Sequence, residues 1–335
     1  MNKIILFLIF VVLLMFGNIL YSKSSTIIKL KELYNPEYFI ANKNFLLIED
    51  NQVIKMFSMK DFKFTKTIGK KGEGPGEFKG YPYPQVLSDT IMISSSGKLS
   101  FFDFSGNLIK EQRTNLRTPK IIKIKNKYVI ESKKMEKDDF YLLYNLYDSD
   151  FKQEKVFYKG KWSIHKGGKR DLFEIYFYDV HDNKIIFAHG EGFKIEILDA
   201  VGNNLHTIEM NPPKIPFTDE DFKNIFVKME ENFKDKGFIQ SMKSKAIKPD
   251  YYPDIRTCRV ADGKIYIVTY LKKEILSECF IFSMRGKQLS RIFIPLRDTS
   301  PINTPPFIIY NSHLYQLVEN IDEEQWQLII DKLNE

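Results

Sequence analysis

The sequence predicts an all-β fold: a six-bladed β-propeller closed by an N-terminal strand, with one helical insertion between blades four and five. Three observations carry that expectation. Six polar hairpin turns recur between apolar, alternating flanks. A second, glycine-bearing turn repeats nearly residue for residue, and one strand-like segment at the front has no unit of its own to join.

Taken in order, the chain opens on Lys3 and an unbroken apolar run from Ile4 to Phe16, followed by Gly17, Asn18 and the small polar residues Ser22, Ser24 and Ser25. That run is shorter than the roughly 20 residues that span a bilayer. Residues 1–24 fit a cleaved signal peptide with Ser22-Lys23-Ser24 as its small-x-small site. If Ile19 to Tyr21 are counted in, the same stretch reads as an uncleaved N-terminal membrane anchor. No cysteine stands nearby, which excludes the lipoprotein route. On either reading residues 25–335 form an exported body, periplasmic or at the cell surface.

The first hairpins are Asn42-Lys43-Asn44, Ser88-Asp89, Lys125-Asn126, Asp182-Asn183, Asp262-Gly263 and Asn311-Ser312, each followed by a strand-like run. Their spacings are 45, 38, 56, 80 and 49 residues. A period of about 40–50 residues with four strands per unit marks a propeller blade, and the long gap marks an insertion. The second hairpin reads Phe102-Asp103-Phe104-Ser105-Gly106-Asn107, then Leu198-Asp199-Ala200-Val201-Gly202-Asn203, then Phe282-Ser283-Met284-Arg285-Gly286-Lys287. Weaker copies lie at Tyr147 to Phe151 and Phe57 to Phe62. The last unit has about three strands, so Thr26 to Leu33 is expected to complete it and remove the free edges of the ring. A pair of β-sandwiches also shows short regular strands, but predicts neither the repeated turn nor the orphan strand.

The insertion spans about 217–247. Thr218 is a good N-cap, Asp219, Glu220 and Asp221 suit the first turn, and Phe222, Ile225, Phe226, Met229 and Phe233 share a face until Gly237 ends the run. That stripe is expected to pack on the propeller surface. Cys258 and Cys279 fall on the first and third strands of one sheet, about 9.5 Å apart, so they are expected to be two unpaired, buried thiols.

Net charge is +7, with 50 Lys and Arg against 43 Asp and Glu, but no dense basic cluster is interleaved with aromatics. A solvated Lys-rich surface follows, and nucleic acid is not a predicted partner. Ile68 to Phe78 reads Ile-Gly-Lys-Lys-Gly-Glu-Gly-Pro-Gly-Glu-Phe. It lacks the Gly-Lys-Ser/Thr ending of a phosphate loop and opens no helix, so it reads as a tight crossing between blades anchored by Phe78.

The motif Gly69-x-x-Gly72-x-Gly74-Pro75-Gly76-Glu77-Phe78, the later Asp262-Gly263-Lys264-Ile265-Tyr266-Ile267 and the six-unit count resemble the bacterial six-bladed β-propeller family related to NHL repeats. The helical insert followed by Tyr252-Pro253-Asp254-Ile255 is similar to a segment common in that family. The resemblance covers essentially the whole exported part. It implies the propeller fold and an exported binding role, and carries over no catalytic residue.

In such a fold the inter-blade connections and the second-to-third strand loops emerge on one face, around the channel. That face is expected to gather Glu73 and Glu77 of the glycine stretch, Trp162 and His165 of the basic loop, and His189-Gly190-Glu191-Gly192, where His189 and Glu191 are suited to share a proton or a metal. Trp162, Tyr176 and Tyr178 are suited either to a sugar or peptide surface or to the core. There is no His-x-x-x-His, cysteine ligand pair or Gly-x-Ser-x-Gly. The expectation is therefore a non-catalytic propeller, without cofactor, that binds a protein, peptide or glycan on the insert-bearing face. The alternative is a metal-dependent, lactonase-like hydrolase or lyase holding Ca²⁺ or another divalent metal on converging acidic side chains.

Overall fold

A computed structural model describes residues 25–334, apart from 119, 138, 163, 174, 191, 233–234, 299–301 and 303. The signal peptide or anchor expected over 1–24 lies outside the described residues. Among them, no helix is long and apolar enough to cross a membrane.

Six four-stranded antiparallel sheets follow one another along the chain. Blade one holds Pro36–Ala41, Phe45–Asp50, Val53–Ser58 and Phe64–Ile68, and blade two Tyr83–Val86, Ile91–Ser95, Lys98–Phe102 and Leu108–Arg113. Blade three holds Ile121–Ile124, Lys127–Glu136, Asp139–Tyr147 and Gln153–Lys161, and blade four Tyr176–His181, Lys184–His189, Lys194–Leu198 and Asn204–Glu209. Blade five holds Thr257–Ala261, Lys264–Lys273, Leu276–Ser283 and Gln288–Ile294. Blade six holds Phe307–Tyr310, His313–Asn320 and Gln325–Lys332, and takes Thr26–Leu30 as its outer strand, with Thr26 opposite Ile330. Each innermost strand touches those of both neighbouring blades, which closes the ring.

The core lies between blades. Strands alternate sides, so a strand packed on both faces is apolar throughout. In Phe45–Asp50, Leu46 and Ile48 face blade six while Phe45 and Leu47 face blade two. The same division recurs at every junction and yields six inter-blade cores.

The repeated second hairpin has one geometry. Asp103 accepts from the Asn107 backbone N–H at 2.8 Å and its side-chain amide at 2.9 Å, with Gly106 at φ 76°. Asp199 and Asn203 repeat this around Gly202, and Ser283 accepts from Lys287 around Gly286. In the weaker copies Phe62 and Phe151 occupy the left-handed position that glycine takes elsewhere (φ 55° and 59°).

The inserted segment folds as two helices, α1 (Asp219–Asn232) and α2 (Lys236–Lys245). Gly237, read from sequence as the end of a single helix, lies in the first turn of α2, which Asp235 caps by accepting from the Phe238 N–H at 2.9 Å. Thr218 and Asp221 form a reciprocal cap at the start of α1. The apolar stripe packs as expected: Ile225, Phe226 and Ile239 are buried against Phe173 and Phe217, with Tyr252 and Tyr270 beside them. Phe233 lies outside the described residues. Cys258 and Cys279 are buried on the first and third strands of blade five and form no disulfide, as the sequence predicts.

Candidate functional site: the loop face and the central channel

Strand direction sorts the connections. The first hairpin of every blade and the second hairpins of blades one to five project on one side, here the turn face. The inter-blade segments, the second-to-third strand loops and both helices project on the other, the loop face.

The loop face begins with the glycine stretch. Gly69 is at φ 72°, and a Cβ there would stand 2.2 Å from the Phe78 ring, which is fully buried. Glu77 folds into the loop, accepting from the Gly74 N–H at 2.8 Å and pairing with Lys70 at 2.9 Å. The Lys70 hydrogen bond, with that backbone bond, holds its carboxyl below the usual range. Glu73 pairs with Lys79 at 2.5 Å, and Lys98 donates to the Gly74 carbonyl. These glycines serve a packed crossing, with their two carboxylates already partnered.

The histidines have separate partners. His165 Nε2 lies 2.9 Å from Asp171 on an exposed loop. His189 Nε2 lies 3.0 Å from Glu196, with Tyr158 and Phe187 edge-on to the imidazole. Burial pushes the His189 pKa down, and Glu196 works against that push. Glu191 lies outside the described residues, so its pairing with His189 stays an expectation. Trp162 packs against Phe140 and the core between blades three and four, under the Lys133 ammonium at 4.1 Å. Among the described residues no three His, Cys, Asp or Glu side chains group closely enough to hold a metal ion.

At the axis lies a cavity of about 570 Å³ lined by the innermost strands of all six blades. Its wall carries Tyr38 stacked on Tyr83 (centroids 4.3 Å apart), Tyr178, Asp179, Cys258 and Arg259, with Lys120 reaching in from the segment ahead of blade three. Lys120 donates to the Tyr178 carbonyl at 3.1 Å and lies 3.8 Å from the centre of the Tyr178 ring. Burial raises the Asp179 pKa, while Lys120 and, less strongly, Arg259 oppose it. Burial also pushes the Cys258 thiol up to about 12 and raises both Tyr38 and Tyr83. Glu37 and Glu131 also line this cavity.

Sequence reasoning placed Tyr176 and Tyr178 on a surface or in the core; they do both, packing between blades three and four and lining the channel. It missed Lys120, Asp179 and Arg259. The signal was present: Asp179 and Arg259 are charges inside otherwise apolar innermost strands, Tyr-Phe-Tyr-Asp-Val-His and Thr-Cys-Arg-Val-Ala.

The rim differs from the turn face in kind. Tyr34, Tyr81, Met135, Ile275 and Ile321, all on loop-face segments, are each at least half exposed. The first hairpins of the turn face end in Asn, Asp, Ser, Lys and Gly. Its turns carry Phe104 and Val201, less than half exposed, with Phe104 leaning on Phe45, while Ile27 and Ile109, just over half exposed, lie on the outer strands beside it.

No protein-family model matches the chain, and no curated protein matches it in sequence. Among solved structures, a Bacteroides fragilis protein assigned as exported is 14% identical with a TM-score of 0.57, over 93% of this chain and 95% of that one. A member of the DUF4221 family from Bacteroides vulgatus is 12% identical with a TM-score of 0.53, over 92% and 97%. At these identities the likeness shows the shared fold.

Proposed function

We propose that the chain is an exported, non-catalytic β-propeller that binds a protein, peptide or glycan on its loop face, centred on the channel mouth. The observation that supports this is one-sidedness: Tyr34, Tyr81, Met135, Ile275 and Ile321, each at least half exposed, all stand on loop-face segments around the channel. Isolated exposed apolar residues are ordinary, but their concentration on one rim suits a docking surface. Export rests on residues 1–24, cleaved as a signal peptide or kept as an anchor, and agrees with the assignment of the Bacteroides fragilis neighbour. Kinship with NHL-related propellers belongs to the same proposal and rests on the glycine stretch and the Asp262-Gly263 turn.

The test has two parts. Fractionation of cells carrying the full chain, with N-terminal sequencing, should find it outside the cytoplasm. Glycan and peptide arrays and envelope proteins should then be probed with the wild type, with Met135→Ser/Ile275→Ser/Ile321→Ser, and with a turn-face control, Asn126→Ser/Asn183→Ser. Loss of about tenfold or more in affinity is expected for the loop-face variant alone. Equal loss in both variants removes the loop face from the reading. Metal analysis and melts with chelator should show no stoichiometric metal and no shift. A bound metal would turn the reading towards the hydrolase.

A further inference from the structure

Two arginines stand three residues apart at the start of blade five and both line a side pocket beside the channel, and their surroundings differ. Arg256 is matched: Nη1 meets Asp298 at 2.9 Å, Nη2 donates to Thr304 at 2.9 Å, and Lys272 shares the same carboxylate at 2.8 Å. Arg259 is held by neutral groups. Its Nε donates to the Phe307 carbonyl at 3.3 Å, and Nη1 donates to the Thr257 hydroxyl and the Cys258 carbonyl, both at 2.9 Å. The guanidinium lies 4.4 Å from the centre of the Phe307 ring. Among the described residues Nη2 has no acceptor and no carboxylate pairs with this guanidinium.

Three hydrogen bonds and a ring fix the orientation of a half-buried cation that pairs directly with no carboxylate of the described residues. Asp179, an acidic residue of the same channel wall, feels Lys120 before it feels Arg259. Arg259 also stands where two spaces meet, lining both the channel and a side pocket of about 210 Å³ walled by Phe173, Phe177, Tyr270 and Ile302. A pre-organised guanidinium with a spare N–H pair is suited to charge-assisted bonds with an oxyanion.

We propose that Arg259 anchors an oxyanion subsite in the central channel, receiving the carboxylate or phosphate of a small ligand, with Lys120 as the second cation. This rests on the loop-face binding reading and names the chemistry at its centre. The ligand is small and carries one anionic group, because Glu37, Glu131 and Asp179 line the same cavity and disfavour a polyanion. Ring stacking is not the main contact: the Phe307 face is taken by Arg259, the Tyr178 face by Lys120, and Tyr38 and Tyr83 cover one another.

The test titrates the purified chain with D-glucuronate, D-glucose 6-phosphate and neutral D-glucose, which share one body and differ in charge. At least one oxyanion should bind about tenfold or more tighter than glucose, weaken with added salt, and lose about tenfold in Arg259→Gln. Arg259→Lys should recover part of that loss. Which acid binds identifies the source as carboxylate or phosphate. If glucose binds as well as both acids, or Arg259→Gln binds them as the wild type does, the subsite is overturned. If Arg259→Gln does not fold, Lys120→Gln and the salt dependence of the wild type decide instead. Partner capture by the loop tips is read separately, so the subsite can fail while loop-face binding stands.

Discussion

The two faces of the propeller are built from the same strands but solve different problems. On the turn face every connection is short, and each turn first closes on itself: Asp103 and Asp199 accept from the backbone of their own turns, and the neighbouring blade adds single bonds such as the Ser312 N–H to Asp262 at 2.9 Å. On the loop face the chain travels between blades, so distant segments complete one another. Glu111 of blade two accepts from the Gly76 N–H at 3.0 Å, and Arg170–Asp171 pairs with Ala246–Ile247 across 76 residues of sequence. Buried polar side chains gather at this end as well, among them Glu49, Asp50, Ser94, Ser95, His189, Ser277 and Glu278. The turn face therefore maintains the repeat, whereas the loop face carries what is particular to this chain, including its helices and its exposed apolar tips.

The largest expected effect compares one glycine from each face. Gly69 and Gly263 have nearly the same backbone, φ 72° and 69°, so an alanine at either position bears the left-handed penalty of about 1–2 kcal/mol. At Gly263 nothing lies within 4 Å of the added Cβ, whereas at Gly69 the Phe78 ring is already there. Gly69→Ala should cost about 3 kcal/mol in denaturant unfolding and Gly263→Ala about 1 kcal/mol. Equal losses would mean that the glycine stretch is no more tightly packed than an ordinary hairpin.

This contrast also explains what was legible in the sequence. The turn-face pattern is local: Asp103 to Asn107 and Asp199 to Asn203 state their geometry within six residues, and the ring follows from counting them. Even the orphan strand could be assigned, because Thr26 to Leu30 had one open edge left to fill. The channel is non-local. Lys120, Asp179 and Arg259 come from blades three, four and five, and nothing in their immediate neighbours says that they converge. His189 was legible as a loop-face residue suited to share a proton or a metal, but its burial and its partner, Glu196, across a hairpin, come from a register that only the structure supplies. Gly237 misled because glycine ends helices more often than it opens them, and here Asp235 restarts one.

A second, smaller effect tests how each end of a blade treats charge. Turn-face Asp103 and Asp199 have pKa values lowered first by the backbone N–H groups of Asn107 and Asn203, so they stabilise the fold when ionised and lose that contribution as pH falls. Glu49, at the loop-face end of its strand, behaves oppositely. Burial raises its pKa to about 7, and Oε2 has no hydrogen-bond partner. Between about 4.5 and 7 the folded state holds the proton that the unfolded state has released, so stability falls as pH rises through that window. Glu49→Gln keeps an acceptor for the Gln52 N–H and removes the titration. It should match the wild type near pH 5 and exceed it by about 1 kcal/mol at pH 8. A variant less stable than wild type at pH 8 would show that the ionised carboxylate is partnered after all.

The smallest effect sharpens the same comparison at the other charge sign. His189 closes the second strand of blade four on the loop face, walled by Tyr158, Phe187 and Tyr176. Its charged neighbours are Glu196, which favours protonation, and Lys194, which opposes it; burial outweighs both and leaves the pKa depressed. As pH falls below the ordinary histidine value of about 6.5, the unfolded chain takes up a proton that the folded chain refuses, so stability declines on the acid side. His189→Gln retains a donor towards Glu196 and should flatten that decline by about 0.5 kcal/mol between pH 7 and 5.5 in urea unfolding. Glu49 and His189 carry opposite charges when ionised, yet burial holds both towards their neutral forms. A His189→Gln variant with an unchanged acid slope would leave exclusion of charge as a property of Glu49's own pocket rather than of the loop-face ends of the blades.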